Sequence, residues 1–171
     1  MTLFYKKYYR NILSYDLLNK FGFDKAIDLP EVTNVILTFN LKTYNYDLLI
    51  RGLIILELIT GNRSQIIKSK DSNTSLKLKK GSPIGCKVNL KKKKALKFLF
   101  FLTNNKKLTD ITYKITIDKS YSVNITANVL NFFELQENYH FFKNVEKFNI
   151  KIVTTANNKK ELKYLLESYK L

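Results

Sequence analysis

A chain of 171 residues with 30 basic and 14 acidic side chains carries a formal charge of +16. Its 45% hydrophobic content, with 12 Phe and 11 Tyr, excludes a disordered chain, and its length suffices for a sizeable core. A lone cysteine (Cys86) and a lone histidine (His140) exclude a disulfide scaffold and a Cys/His zinc cluster.

Taken in chain order, residues 3–20 predict a helix. Phe4, Tyr8, Ile12, Tyr15 and Leu18 recur at spacings of four and three and form its expected apolar stripe. Phe21-Gly22-Phe23 ends it. A strand follows over Thr33–Phe39, with Val35, Leu37 and Phe39 on one face and Asn34, Ile36 and Thr38 on the other. Residues 45–60 predict a second helix, apolar nearly all round and therefore expected to be buried, with Gly61 as its C-terminal cap. Its apolar stretch Leu48–Ile59 contains Arg51 and Glu57 and is too short to span a bilayer. Gln65–Lys70 predicts a short strand and Ile84–Leu90 a longer one. Between them lies a polar segment, Asp71–Ser82, rich in Lys and Ser.

Lys91, Lys92, Lys93 and Lys94 then lead into an apolar helix over Ala95–Leu102. Cations are unfavourable at a helix N-terminus, so the run points to a phosphate that neutralises it. The alternative is a solvated strand end. Residues 111–117 and 121–129 both alternate strictly and predict a hairpin, with Asp118-Lys119-Ser120 between its arms. Asn149–Thr155 predicts the last strand. Asn158 and Glu161 have capping-box spacing for the closing helix, whose apolar face is Leu162, Leu165, Leu166 and Tyr169. The order predicts one α+β domain over 1–171: a mainly antiparallel sheet, helices packed on one face, and a polar, basic opposite face available to RNA.

The charge makes a polyanion the expected partner, nucleic acid first and an acidic membrane surface second. The basic residues are 27 Lys against 3 Arg, and Asn, Ile, Phe and Tyr are abundant too. This bias reflects an AT-rich coding genome rather than mechanism. Residues 1–20 show no secretory pattern, because Lys6, Lys7, Arg10 and Asp16 interrupt the apolar residues.

Four segments stand out: Asp28-Leu29-Pro30 with Val35-Ile36-Leu37, then Glu57-Leu58-Ile59-Thr60-Gly61, then Gly81-Ser82-Pro83-Ile84-Gly85-Cys86-Lys87-Val88-Asn89-Leu90, and last Ile150-Lys151-Ile152-Val153-Thr154-Thr155-Ala156. Together, in order and spacing, they resemble the ribosomal protein L-five family, large-subunit proteins that hold 5S rRNA. The resemblance divides the domain into an N-terminal helix (1–27), a core (28–107), a divergent hairpin region (108–147) and a C-terminal strand and helix (148–171). It implies a structural protein of the central protuberance, without catalysis, cofactor or metal. Its implied partners are 5S and large-subunit rRNA, P-site tRNA, neighbouring proteins of the protuberance and a small-subunit head protein.

Carried over by position, the implied RNA-binding residues are Thr38, Thr60, Gly61, Asn62, Arg63, Ser64, Asn89 and Lys91, beside the run Lys92, Lys93 and Lys94. Short polar side chains supply hydrogen bonds to phosphate, 2′-hydroxyl and base edges, and the cations supply charge. For Thr60 and Ser64 ordinary helix-end capping is a second role. The implied tRNA-facing loop is 72–82, with Ser72, Asn73, Lys77, Lys79, Lys80 and Gly81. This sequence departs from the family pattern at Thr38, Asn40 and Asn62-Arg63-Ser64, and over 108–147.

Cys86 reads as a small core residue and His140 as packing or surface. No nucleophile–base set and no phosphate-cradling glycine loop is present in the pattern. The alternative function is a basic assembly or RNA-processing factor that binds transiently. A peripheral membrane protein would need residues 3–20 as its basic amphipathic helix, and their polar face is only weakly basic. Composition and the absent presequence point to a mitochondrial matrix protein made inside the organelle, with a plastid or an AT-rich bacterium as alternatives.

Overall fold

The computed structural model describes residues 2–23, 25–41, 45–72, 79–104, 122–129, 132–142, 145 and 147–170. Five strands form one sheet in the order β2-β3-β1-β5-β4, and every neighbouring pair is antiparallel. They are β1 (Val32–Asn40), β2 (Gln65–Lys68), β3 (Pro83–Lys91), β4 (Ser122–Asn128) and β5 (Lys147–Thr154). The helices are α1 (Thr2–Tyr8), α2 (Ser14–Phe21), α3 (Tyr46–Thr60), α4 (Lys93–Asn104), the short α5 (Phe133–Gln136) and α6 (Tyr139–Phe142), and α7 (Lys159–Ser168). The predicted arm 111–117 lies outside the described residues, and its partner arm is β4.

The period-2 pattern explains the core. Val35, Leu37 and Phe39 of β1 are buried with Cys86, Val88 and Leu90 of β3 and with Phe148, Ile150 and Ile152 of β5. Each fully buried side chain of this size contributes about 1.5–3 kcal/mol. The helices cover this face. α4 buries Ala95, Phe98, Leu99 and Leu102, and α7 buries Leu162, Leu165 and Leu166. α3 approaches closely enough that a Cβ on Gly52 would stand 2.3 Å from the Phe39 ring. Burial pushes the Cys86 thiol up to about 12 and makes it unreactive in the folded chain.

The N-terminal helix departs from its predicted face. It is not one regular helix, because a π-helical turn over Tyr9–Leu13 joins α1 to α2. Such a turn takes up one extra residue. Leu13 and Leu17 are consequently buried beyond it, and Tyr5 before it, while Phe4, Ile12 and Tyr15 of the expected stripe are 61%, 50% and 61% exposed. Phe21-Gly22-Phe23 does end the helix, with Gly22 left-handed at φ 65°.

α3 departs too. Asn45 caps it by accepting from the Asp47 and Leu48 N–H groups at 3.0 and 3.4 Å, and Gly61 closes it at φ 62°. It is not buried all round: Leu49, Gly52, Ile55 and Leu56 face the sheet, while Tyr46, Ile50, Ile54 and Leu58 are 45–59% exposed. A single layer of helices on one sheet face leaves each helix with an outer side, whatever its composition.

The closing helix begins as predicted. The buried Glu161 carboxylate accepts from the N–H groups of Asn157 (3.0 Å) and Asn158 (3.3 Å) and from the Asn158 amide (2.7 Å). Glu161→Ala is expected to cost about 1–2 kcal/mol in urea unfolding. Asn158→Ala in the Glu161→Ala background should then add little, because both belong to one box. Full additivity of the two losses would show that the box is not a unit.

Candidate nucleic-acid interface

Directly paired residues point to the same side of a sheet, so the registers define the face opposite the helices. One row across it reads Gln65, Lys87, Thr38, Asn149 and Thr126. The next reads Asn89, Ile36, Lys151 and Asn124, and the third Lys91, Asn34, Val153 and Ser122. Ile36 and Val153 are the apolar members. Thr38 is half-buried at the centre, and Lys87, Asn89 and Lys91 are exposed along β3. The polar side chains offer donors and acceptors, and the lysines supply charge.

The Thr60–Ser64 turn lies where α3 ends. The Thr60 hydroxyl donates to the Leu56 carbonyl at 2.6 Å and accepts from the Asn62 N–H at 3.3 Å, while the Asn62 amide donates to the Thr60 carbonyl at 2.7 Å. Thr60 therefore does cap its helix. Arg63 is exposed. Glu57 ties the turn back, accepting from both the Ser64 N–H (2.8 Å) and the Ser64 hydroxyl (2.9 Å).

The Ser64 N–H, then its hydroxyl, then the Arg63 charge hold the Glu57 carboxyl below its ordinary value of 4.5. A depressed folded-state value means that the contact is present above the unfolded value and is lost as pH falls through the folded one. In an NMR titration the Ser64 amide should therefore move with a midpoint below pH 4.5, and in Glu57→Gln that transition should be absent. A midpoint at or above 4.5 would contradict the contact.

The lysine run is divided. Helix α4 starts at Lys93 rather than Ala95, so Lys93 and Lys94 occupy its first turn. Lys91 is the last residue of β3, and Lys92 turns the chain with a positive φ of 48°. Its N–H donates to the Thr33 carbonyl at 3.3 Å. Lys94 Nζ donates to Asn62 Oδ1, which joins the run to the Thr60–Ser64 turn.

The implied tRNA-facing loop stands at the other end. Asn73 and Lys77 lie outside the described residues. Ser72, Lys79, Lys80 and Gly81 are exposed, and Gly81 is left-handed at φ 85°. The Ser69 N–H donates to the Ser82 carbonyl at 2.8 Å, and the Gly81 N–H to the Ser69 carbonyl at 3.0 Å, which closes the neck of the loop. The length of β3, about 30 Å at 3.3 Å per residue, separates this neck from Lys91.

Curated relatives share this architecture's sequence from end to end. The chain is 32% identical to the large ribosomal subunit protein uL5m of Reclinomonas americana, over 97% of this chain and 95% of that protein. The chain belongs to the uL5 family of large-subunit ribosomal proteins. It is also 30% identical to uL5 of Desulforapulum autotrophicum, over 99% of this chain and 97% of that one. It is 29% identical to uL5 of Syntrophus aciditrophicus, over 95% and 93%. No family model matches the chain.

Several groups in this uL5 chain escaped the sequence reading. Lys87 shares the phase of Asn89 and Lys91, so alternation alone could have added it. Lys151, Asn149 and Asn34 needed the strand register. Lys6 and Arg10 needed the packing of the N-terminal helix, and both line a cleft with Lys91, Lys92 and Lys93. Among the described residues no His, Cys, Asp and Glu side chains gather as a metal site, and no helix is long and apolar enough to cross a membrane.

Proposed function

We propose that this uL5 chain is a structural constituent of the large ribosomal subunit that holds 5S rRNA in the central protuberance. The observation that carries this reading is the Lys94–Asn62 contact, which joins the lysine run to the Thr60–Ser64 turn, beside a sheet face whose polar rows hold Thr38, Asn89 and Lys91. Lysines there neutralise phosphates, and Thr38, Asn62, Ser64 and Asn89 make the short hydrogen bonds. The loop 72–82, at the opposite end, meets the backbone of P-site tRNA through Lys79 and Lys80 without reading its sequence. Neighbouring protuberance proteins and the small-subunit head complete its contacts. The setting is the mitochondrial ribosome, a reading supported by the uL5m relative and by the AT-biased composition.

Sedimentation of a mitochondrial lysate, with the chain followed by mass spectrometry, tests this. The expected result is stoichiometric presence in the large-subunit peak, retained at moderate salt, with a 5S-sized RNA. Presence only on precursor particles overturns the reading in favour of a transient assembly factor. A large-subunit peak without that RNA overturns the 5S part alone.

A further inference from the structure

A cleft of about 490 Å³ opens between the N-terminal helix, the start of β1 and the β3–α4 junction. It is built differently from the flat rows of the sheet. Its rim carries five cations: Lys6 of α1, Arg10 of the π-helical turn, Lys91 at the end of β3, Lys92 in the turn after it and Lys93 at the start of α4. Its interior is apolar, formed by Val32, Leu96 and the rings of Tyr9 and Tyr169. The Tyr9 ring is pinned, because its hydroxyl donates to the Pro30 carbonyl at 3.1 Å. Glu31 is the lining side chain here left to pair with a heteroatom edge, since the Thr33 hydroxyl donates to the Val153 carbonyl at 3.0 Å and Asn34 belongs to a row of the opposite sheet face.

A phosphate alone would use the rim and leave the apolar interior wet. A flat apolar body carrying negative charge on both sides satisfies both parts, and an unstacked nucleotide has that form. We infer that this cleft receives a single nucleotide extruded from an RNA helix. Its base lies against Leu96 and Tyr9, its flanking phosphates lie on the Lys6–Arg10 and Lys91–Lys93 sides, and Glu31 pairs with its edge. The inference rests on the RNA-binding reading above and shares Lys91–Lys93 with it. It adds a site on the N-terminal helix that reads RNA shape.

The probes are an RNA hairpin with one bulged adenosine and the same hairpin fully paired, titrated against the full chain by fluorescence anisotropy. The bulged hairpin should bind about tenfold tighter, the size of effect that one base on an aromatic side chain supplies. Leu96→Trp, which fills the cleft, should abolish that preference and leave the paired hairpin's affinity within about twofold. Arg63→Ala should weaken both hairpins alike. Equal binding of both hairpins by the unaltered chain overturns the inference alone. So does a preference that survives in a folded Leu96→Trp chain. Binding of neither hairpin overturns the RNA-binding reading with it. A 4-thiouridine at the bulge gives a test independent of that variant's folding. Crosslinks to peptides holding Tyr9 or Leu96 support the cleft, and crosslinks only elsewhere overturn it.

Discussion

Replacing Lys91, Lys92, Lys93 and Lys94 with serine is expected to weaken binding to structured RNA about a hundredfold at moderate salt. Each lysine that meets a phosphate releases counterions, so the slope of log affinity against log salt should become shallower by about one per lysine lost. All four side chains are exposed, and they diverge because Lys92 turns the chain between strand and helix. Free of RNA, the same change acts in the opposite direction. Lys93 and Lys94 lie in the first turn of α4, where the helix dipole disfavours cations, and no acidic residue offsets them there. Their removal should stabilise the free protein by about 0.3–1 kcal/mol each. Loss of the Lys94–Asn62 contact reduces that gain by a fraction, as an exposed polar pair does. Anisotropy titrations at several salt concentrations, with thermal unfolding of the free chain, check both signs. An unchanged salt slope would remove the lysine run from the interface.

Gly85→Ala should be the most damaging single-methyl change in the sheet. A Cβ there would stand 2.3 Å from the Phe39 carbonyl oxygen and 3.2 Å from the Asn40 Cα. Those are backbone atoms of the central strand, paired with β3 at this point, so relief requires β1 and β3 to part. Overpacking of this kind costs about 3 kcal/mol, and for a chain of this size that lowers Tm by roughly 10 °C. Gly52→Ala makes a useful contrast. Its Cβ would meet the Phe39 ring at 2.3 Å rather than backbone. The helix also regains about 1 kcal/mol of propensity when glycine is replaced. Phe39→Leu should therefore rescue Gly52→Ala in part and leave Gly85→Ala unrescued. Urea unfolding of the four variants decides it, and a Gly85→Ala loss under about 0.5 kcal/mol would refute the clash.

These cases show what was legible in the sequence. The phase of β1 was readable because one of its faces is buried, and a slip by one residue would expose Val35, Leu37 and Phe39. Gly22, Gly61 and the Asn158–Glu161 box were readable because caps are local chemistry. The N-terminal face was not: a π-helical turn shifts every position beyond it without any glycine or proline to announce it, and before the turn two adjacent aromatics, Phe4 and Tyr5, compete for the inward position. The outward side of α3 was not readable either. Tyr46, Ile50, Ile54 and Leu58 have the composition of a core, and only the single helix layer tells them apart from one. At the candidate interface, residue types and the turn could be placed by resemblance. Rows such as Asn89, Ile36, Lys151 and Asn124 join strands far apart in the chain, and pairing alone assembles them.

The sheet order also sets a timetable for synthesis. β1 is among the first segments to leave the exit tunnel, yet it sits in the middle of the sheet and waits for β5 on one flank. The N-terminal helix waits longer. Tyr5 packs edge-on against Tyr169 at 5.2 Å, and the Tyr8 hydroxyl reaches the Ser168 carbonyl at 3.3 Å. A nascent chain halted before residue 147 therefore holds a two-sided strand with one side bare, an invitation to chaperones and proteases. Folding of the earliest-made helix is completed only by the last-made one.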